Sequence, residues 1–172
     1  MQKSSAIQKI SVILSSEIIE EFFGFIVFIH YKGTKNSANY QIFNELNFIE
    51  LTLTYKIRGA IFKVYNELGP GLLESVYEAA LLYQLREDGL QVESQKKLDV
   101  YYDGHLLPVD FRLDIIVEDK VIIELKSVEL LKDVHRKQLL TYLKISGKKV
   151  GLLVNFNTTD LSKDIVRIVN GL

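Results

Sequence analysis

Three ionisable side chains stand among aliphatic residues in the segment FRLDIIVEDKVIIELKS, residues 111–127: Asp114, Glu124 and Lys126. Two carboxylates held side by side in such surroundings repel each other, and loss of water increases the cost. A positive charge should neutralise them, and a divalent cation with oxygen ligands suits two acids better than Lys126 alone. The segment therefore predicts a cation site. The alternatives are an ordinary acid pair at a wet edge, or an ion-pair cluster of Glu124, Arg112 and Lys126.

A β-hairpin would bring these side chains together, because β-branched runs at 111–117 and 121–127 flank a short polar tip. A turn centred on that tip places Asp114 opposite Glu124, with Cβ atoms roughly 5 Å apart. Lys126 shares the face of Glu124, and Arg112 falls opposite Lys126, because side chains alternate along a strand. The other face is predicted to consist of Leu113, Ile115, Val117, Val121, Ile123 and Leu125. A strand pair this apolar is expected in the middle of a sheet.

Composition limits the possible functions. The chain has 172 residues, almost half of them apolar, which is enough for one domain with a real core. The net charge is −1 and the pI is about 6.3, so a nucleic acid would have to bind a local basic patch. Because there is no cysteine, disulfides and zinc–thiolate sites are excluded.

Residues 1–50 differ from the rest and are predicted to be an N-terminal appendage of unclear role, followed by the main domain at 51–172. The longest apolar run in the appendage, Phe22–Ile29, is too short to span a bilayer. Acidic residues precede that run where a signal peptide would have basic ones. A membrane-peripheral role and a translated leader are the alternatives for this segment.

The main domain is predicted to be an α/β sandwich with a central mixed sheet of about four strands flanked by helices. The helical pattern breaks at Gly69-Pro70-Gly71, and Asp103-Gly104 is a hairpin signal. In chain order the sequence predicts helices at 53–68 and 72–88, a strand at 91–98, the hairpin described above, a helix at 133–146, a strand at 149–156 and a last helix at 160–170.

The carboxylates and the amine carry a resemblance to a known family. Asp114 followed by Glu124-Leu125-Lys126 resembles the PD-(D/E)XK signature of nucleases with the restriction-endonuclease-like fold. Leu113 stands where the signature has a proline.

Two further motifs extend this resemblance to about residues 53–172. Gln138 and Tyr142, on the helix after the hairpin, are similar to the Gln-x-x-x-Tyr motif of the RecB-like branch of that superfamily. Gly71, Glu74 and Tyr77 match the pattern for which the GxxExxY protein family is named. Each motif alone is weak, but their order on these elements makes the match specific.

The resemblance implies Mg²⁺- or Mn²⁺-dependent hydrolysis of phosphodiester bonds. Asp114 and Glu124 would bind the cation, with the backbone carbonyl of Leu125 as a further ligand. A bound water with a lowered pKa would be the attacking hydroxide, and Lys126 would orient it or stabilise the transition state. Glu74 would bind a metal water or a second ion. Its alternative role is a favourable charge at a helix N-terminus.

Gln138 would bond a phosphate or help to hold Lys126, and Tyr142 lies one turn further on the same helix face. Both are alternatively half-buried helix residues with no chemical role. Candidates for the basic rim that nucleic-acid binding needs are Lys97, Lys132, Arg136 and Lys137.

The sequence thus predicts a metal-dependent nuclease, with DNA as the expected substrate. The main alternative is a non-cleaving nucleic-acid-binding or regulatory module on the same fold. A third is an interaction protein acting through residues 1–50. We expect a cytoplasmic protein without a membrane span, and the oligomeric state stays open, with a homodimer as one option.

Overall fold

The computed structural model describes the backbone of residues 38–171 and side chains from residue 50 onward. A compact unit spans Leu46–Leu172, and the preceding unit, Met1–Glu45, is described only at residues 38–45, which are helical. Helix α1 begins at Ala38, so it crosses the predicted boundary at residue 50. The predictions for residues 1–37 lie outside the described residues. Within the described part, no helix is both long and apolar enough to cross a membrane.

Helices on both sides of a mixed sheet form the main unit, which confirms the predicted fold class. The elements are α1 Ala38–Leu68, α2 Glu74–Glu87, β1 Val92–Leu98, β2 Tyr101–Tyr102, β3 His105–Leu106, β4 Phe111–Val117, β5 Val121–Lys126, α3 Asp133–Ser146, β6 Val150–Asn155 and β7 Ile165–Val169. The main sheet has the order β1-β4-β5-β6-β7, and β2 and β3 form a separate hairpin at the predicted Asp103-Gly104 turn. Among the strands of residues 38–171, β5 and β6 are the one parallel pair, with α3 as their crossover.

Two apolar clusters fill the two sides of the sheet. Helices α1 and α2 bury residues such as Ile57, Ile61 and Leu81 against one face. Helix α3 buries Leu139 and Leu143 against the other face. With helices on both faces, the central strands β5 and β6 have no wet side, which explains why their sequences are continuous aliphatic runs.

Gly151 in β6 lies next to the side chain of Leu139 in α3. A Cβ atom at Gly151 would lie 2.8 Å from a methyl group of Leu139, so a larger residue would require the Leu139 side chain to move. The helix ends as predicted at Gly147, which takes the left-handed conformation, with φ 68°, that an L-residue adopts only at a steric cost. The sequence suggests Asp133 as the N-cap, but Asp133 is the first residue of the helix and Lys132 is the N-cap. The backbone N–H of Lys132 donates to His135 Nδ1 at 3.2 Å.

The predicted last helix at 160–170 is wrong. A 3₁₀ turn at Leu161–Lys163 is followed by β7, which pairs antiparallel with β6 and gives the sheet five strands rather than about four. The inward spacing of Leu161, Ile165 and Ile168 suits a helix, but the β-branched run at 165–169 also suits a strand. The exposed edge of β6 decides in favour of the strand.

The spacing of apolar residues predicts that the inward face of α2 consists of Leu73, Val76, Tyr77, Ala80, Leu81 and Leu85. This prediction is partly wrong. Tyr77, Leu81 and Leu85 are fully buried as expected, whereas Leu73 is 74% exposed and Val76 is 41% exposed. The helix begins at Glu74, so Leu73 is its N-cap and lies outside the apolar stripe.

Candidate active site

The β4–β5 hairpin has the predicted register near its tip and separates at its other end. Backbone pairing ends at Ile115 and Ile123. Beyond that pair, the Asp114 carboxylate accepts a hydrogen bond from the backbone N–H of Leu125 at 2.9 Å. Asp114 therefore lies over the neighbouring strand, next to the residues that follow Ile123. Leu113 packs with the α3 cluster instead of the predicted face, because the alternation of β4 breaks where the strands separate.

Glu124 and Lys126 form a close ion pair on β5. Lys126 Nζ lies 2.7 Å from Glu124 Oε1, and the two side chains are 13% and 2% exposed. The second carboxylate oxygen of Glu124, Oε2, is buried and has no hydrogen-bond partner. Burial of a carboxylate oxygen without a partner is costly, so this atom is available to a ligand.

Of the alternative ion-pair cluster of Glu124, Arg112 and Lys126, the contact between Glu124 and Lys126 is formed, and Arg112 lies elsewhere. Arg112 does not reach Lys126: it faces Lys97 on β1, its guanidinium binds both oxygens of Asp110 at 3.0 Å, and it donates to the carbonyl of Gln95 at 3.1 Å. Among the side chains that the structure describes, Lys126 is the one cationic partner of Glu124.

Burial raises the pKa of the two carboxyl groups of the site, Glu124 and Asp114. Desolvation, reinforced by the Asp114 charge, raises the pKa of Glu124 to about 7 despite the opposing effect of Lys126. Desolvation also raises the pKa of Asp114, although the Leu125 N–H and Lys126 oppose the shift. For Lys126, burial lowers the pKa, but the hydrogen bond and charge of Glu124 and the charge of Asp114 outweigh it, so the net shift is upward.

Glu74 is brought to the same end of the hairpin by the start of α2. Its Oε1 accepts a hydrogen bond from the backbone N–H of Ser127, the residue after Lys126, at 3.1 Å. The Gly-Pro-Gly break sets this position: Tyr77 donates its hydroxyl to the Gly69 carbonyl at 2.7 Å, which fixes the turn before α2. A groove of about 570 Å³ opens beside Glu74 and Ser127.

Gln138 and Tyr142 bond to each other on α3, with Gln138 Nε2 lying 2.7 Å from the Tyr142 hydroxyl. Tyr142 is buried with its ring edge-on to Phe111, at 4.8 Å between centroids. Burial, with the charges of Glu124 and Asp114, raises the pKa of Tyr142, so its hydroxyl is electrostatically coupled to the two acids. The amide of Gln138 donates to Tyr142, and no bond to Lys126 is present in the described part.

The structure adds three residues that the sequence reading missed. Glu78 follows Glu74 by four residues on α2, and its charge raises the pKa of Asp114. Gln95 on β1 donates to both carboxylate oxygens of Glu78 at 3.0 Å. Asn155, only 1% exposed, bonds both the N–H and the carbonyl of Val128 and so fixes the chain after β5. The four-residue spacing from Glu74 was a usable signal for Glu78. The contacts of Gln95 and Asn155 join residues that are distant in the sequence, so no local pattern indicated them.

The donor set fits a hard divalent cation. The described residues contain no group of three or more His, Asp or Glu side chains placed to hold a metal. Mg²⁺, however, usually takes one or two carboxylates and keeps several waters. Asp114 and Glu124 supply those two, and the buried Oε2 of Glu124 is an oxygen donor with no competing hydrogen bond. The four residues predicted for nucleic-acid binding, Lys97, Lys132, Arg136 and Lys137, are all exposed.

Comparison with known proteins gives one result. A family model described as the PD-(D/E)XK nuclease superfamily matches residues 51–168. No curated protein and no solved structure matches the chain.

Proposed function

Because the chain belongs to the PD-(D/E)XK nuclease superfamily, we propose that it is a Mg²⁺- or Mn²⁺-dependent nuclease that cleaves DNA. The observation that carries this proposal is the buried, unbonded Oε2 of Glu124 beside a second carboxylate, Asp114. A purely structural ion pair would leave neither an orphaned oxygen nor an excess of negative charge. The motifs further support membership of the GxxExxY family and the RecB-like branch.

Asp114, Glu124 and the backbone carbonyl of Leu125 would hold the cation. When bound, such an ion supplies Lewis-acid stabilisation of the phosphate and lowers the pKa of a water. The Leu125 N–H fixes one oxygen of Asp114, which leaves the other oxygen for the ligand. Glu124 must lose its proton to bind, and its raised pKa of about 7 makes binding stronger above neutral pH.

Lys126 is the group suited to the charge that develops on the phosphate. Its raised pKa keeps it protonated at neutral pH, and its contact with Glu124 fixes its position. A preorganised cation of this kind stabilises a more negative transition state. Glu74 would hold a water at the edge of the site, next to the groove.

Gln138 and Tyr142 would position the substrate. Because Gln138 donates to the Tyr142 oxygen, the hydroxyl hydrogen of Tyr142 is left to donate to a phosphate oxygen. Lys97, Lys132, Arg136 and Lys137 would contact the nucleic-acid backbone, with affinity that falls as salt rises.

The test is a cleavage assay on plasmid DNA, linear DNA and RNA, with Mg²⁺, Mn²⁺ or EDTA. We expect cleavage of DNA with either cation and none with EDTA. Asp114→Asn and Lys126→Gln should each lower the rate by roughly a hundredfold or more, because each removes a charge needed in the transition state.

The matched control is Glu129→Gln, which removes an exposed acid three residues after Lys126 and should cut like the parent. For the basic rim, Lys132→Gln with Arg136→Gln should weaken DNA binding, whereas Lys120→Gln at the hairpin tip should not. Equal cleavage by the parent and both site variants would refute the assignment of these residues. Binding without cleavage would favour the non-cleaving alternative.

A further inference from the structure

Gln95 has an uncommon backbone conformation in the middle of strand β1. Its φ is 51°, in the left-handed region that non-glycine residues adopt only at a steric cost. The residues on either side keep their antiparallel pairs with Ile115 and Leu113, so Gln95 lies at the level of Asp114. The strained residue of β1 thus lies beside the cation-binding acid of β4.

Hydrogen bonds to the backbone carbonyl and from the side-chain amide hold Gln95 in this conformation. Its carbonyl accepts a hydrogen bond from Arg112 Nη1 at 3.1 Å, and Arg112 is itself held by both oxygens of Asp110. Its side-chain amide donates to both oxygens of Glu78, each at 3.0 Å. Backbone strain that is stabilised in this way is common at functional sites.

Glu78 is the residue that these contacts fix in place. It is half-buried on α2, one turn after Glu74, and makes no ion pair with a lysine or arginine in the described part. Its charge acts on Asp114 and adds to the effect of Glu74. Glu78 thus places a half-buried carboxylate, held by the neutral amide of Gln95, one helix turn from Glu74.

We propose that Glu78 and Gln95 are positioning residues for the cation bound at Asp114. Gln95 holds the Glu78 carboxylate where its negative charge increases the affinity of Asp114 and Glu124 for a divalent ion. This inference rests on the proposed function, since it assumes that these acids bind a cation. It adds a second layer of the site, on α2 and β1, that the three sequence motifs do not include.

A purely structural role for Gln95 makes a different prediction. If it only shaped β1, glycine would serve as well or better, because glycine adopts positive φ without strain. If Gln95 positions Glu78, Gln95→Gly should leave the protein as stable as the parent and still weaken cation binding.

The experiment is calorimetric titration of the metal-free full chain with Mn²⁺ and with Mg²⁺, together with thermal melts of each variant. We expect Glu78→Gln and Gln95→Gly to raise the Kd for the cation by about tenfold, the lower end of the range for groups around a metal site. The melting temperature of metal-free Gln95→Gly should not fall. The matched control is Glu87→Gln, which removes an exposed charge nine residues further along α2 and should bind like the parent.

The possible results separate the two proposals. If the parent binds and Asp114→Asn does not, while Glu78→Gln and Gln95→Gly bind like the parent, this inference is wrong and the proposed function stands. If the parent takes up neither ion, even with DNA added, both are wrong. If Glu87→Gln weakens binding as much as Glu78→Gln, the effect is one of overall charge, and the positioning role is refuted.

Discussion

The carboxylates at the two ends of the β4–β5 hairpin differ in burial and in the number of amines that contact them. At the tip, Asp119 is exposed and lies between two amines, Lys148 at 2.8 Å and Lys96 at 3.3 Å. Hydrogen bonds from Lys148 and then Lys96 lower the pKa of Asp119. At the other end, Glu124 is buried and forms an ion pair with Lys126, and burial raises the pKa of Glu124 to about 7.

This difference separates a structural ion pair from the proposed cation site. The tip is wet, and two amines neutralise its acid, so nothing further is needed there. At the separated end, Glu124 is buried and Asp114 is half-buried, and within the described part Lys126 is the amine whose charge acts on both acids. Among the described residues no second side chain supplies the missing positive charge, so a bound proton or cation would stabilise the arrangement of these acids.

Removal of the amine at the buried end should give the largest change in stability. Lys126→Met leaves Glu124 buried without a cationic partner and should lower the free energy of unfolding by about 3 kcal/mol at pH 8. At pH 5 the loss should be much smaller, because Glu124 is then protonated and uncharged. Urea unfolding of the metal-free protein at both pH values measures this. A loss that does not depend on pH would mean that Lys126 contributes packing rather than charge.

The raised pKa of Glu124 should appear in the pH dependence of stability. Between its ordinary pKa of 4.5 and the folded value of about 7, only the folded state holds the proton, so stability falls as pH rises through this window. The total loss should be about 3 kcal/mol, and Glu124→Gln should remove most of it. Urea unfolding in EDTA from pH 4 to 8 compares the two proteins. If both give the same slope, Glu124 is ionised in the folded state throughout. Mg²⁺ should stabilise the parent most at the upper end of this range.

Replacement of the whole buried pair should separate stability from activity. With Glu124→Leu and Lys126→Met together, the metal-free protein should become about 2 kcal/mol more stable at pH 8, because two buried charges give way to apolar groups. The same double variant should not cleave DNA. A less stable double variant would show that the ion pair holds the fold by itself.

The sequence was informative where local pattern and chemistry agree. The polar tip and the long β-branched runs predicted the register of the hairpin, which the pairing of Ile115 with Ile123 confirms. Alternation along β5 predicted that Glu124 and Lys126 share a face, and their contact at 2.7 Å agrees. The Gly-Pro-Gly break predicted a helix beginning at residue 72, two residues before the observed start of α2 at Glu74.

The failures occur where tertiary contacts decide. Residues 165–169 pair with β6 although the spacing of their apolar residues also suits a helix. Leu113 changes face because the strands separate at Asp114, which no local rule predicts. The contact between Glu78 on α2 and Gln95 on β1 joins two elements whose packing the sequence pattern does not specify.

Substitution of Asp119 should give the smallest change in stability, and its pH dependence should be opposite in sign to that of Glu124. Asp119→Asn should lower stability by at most about 1 kcal/mol at neutral pH, because exposed ion pairs contribute little and salt screens them. Since the pKa of Asp119 is lowered, its contribution is present above its ordinary pKa of 3.8 and is lost as pH falls. Cation binding and DNA cleavage should stay at the parent's level. Urea unfolding at low and high salt, beside a cleavage assay, tests this. If Asp119→Asn impaired cleavage as strongly as Asp114→Asn, the tip would belong to the site, and the contrast between the two ends would not hold.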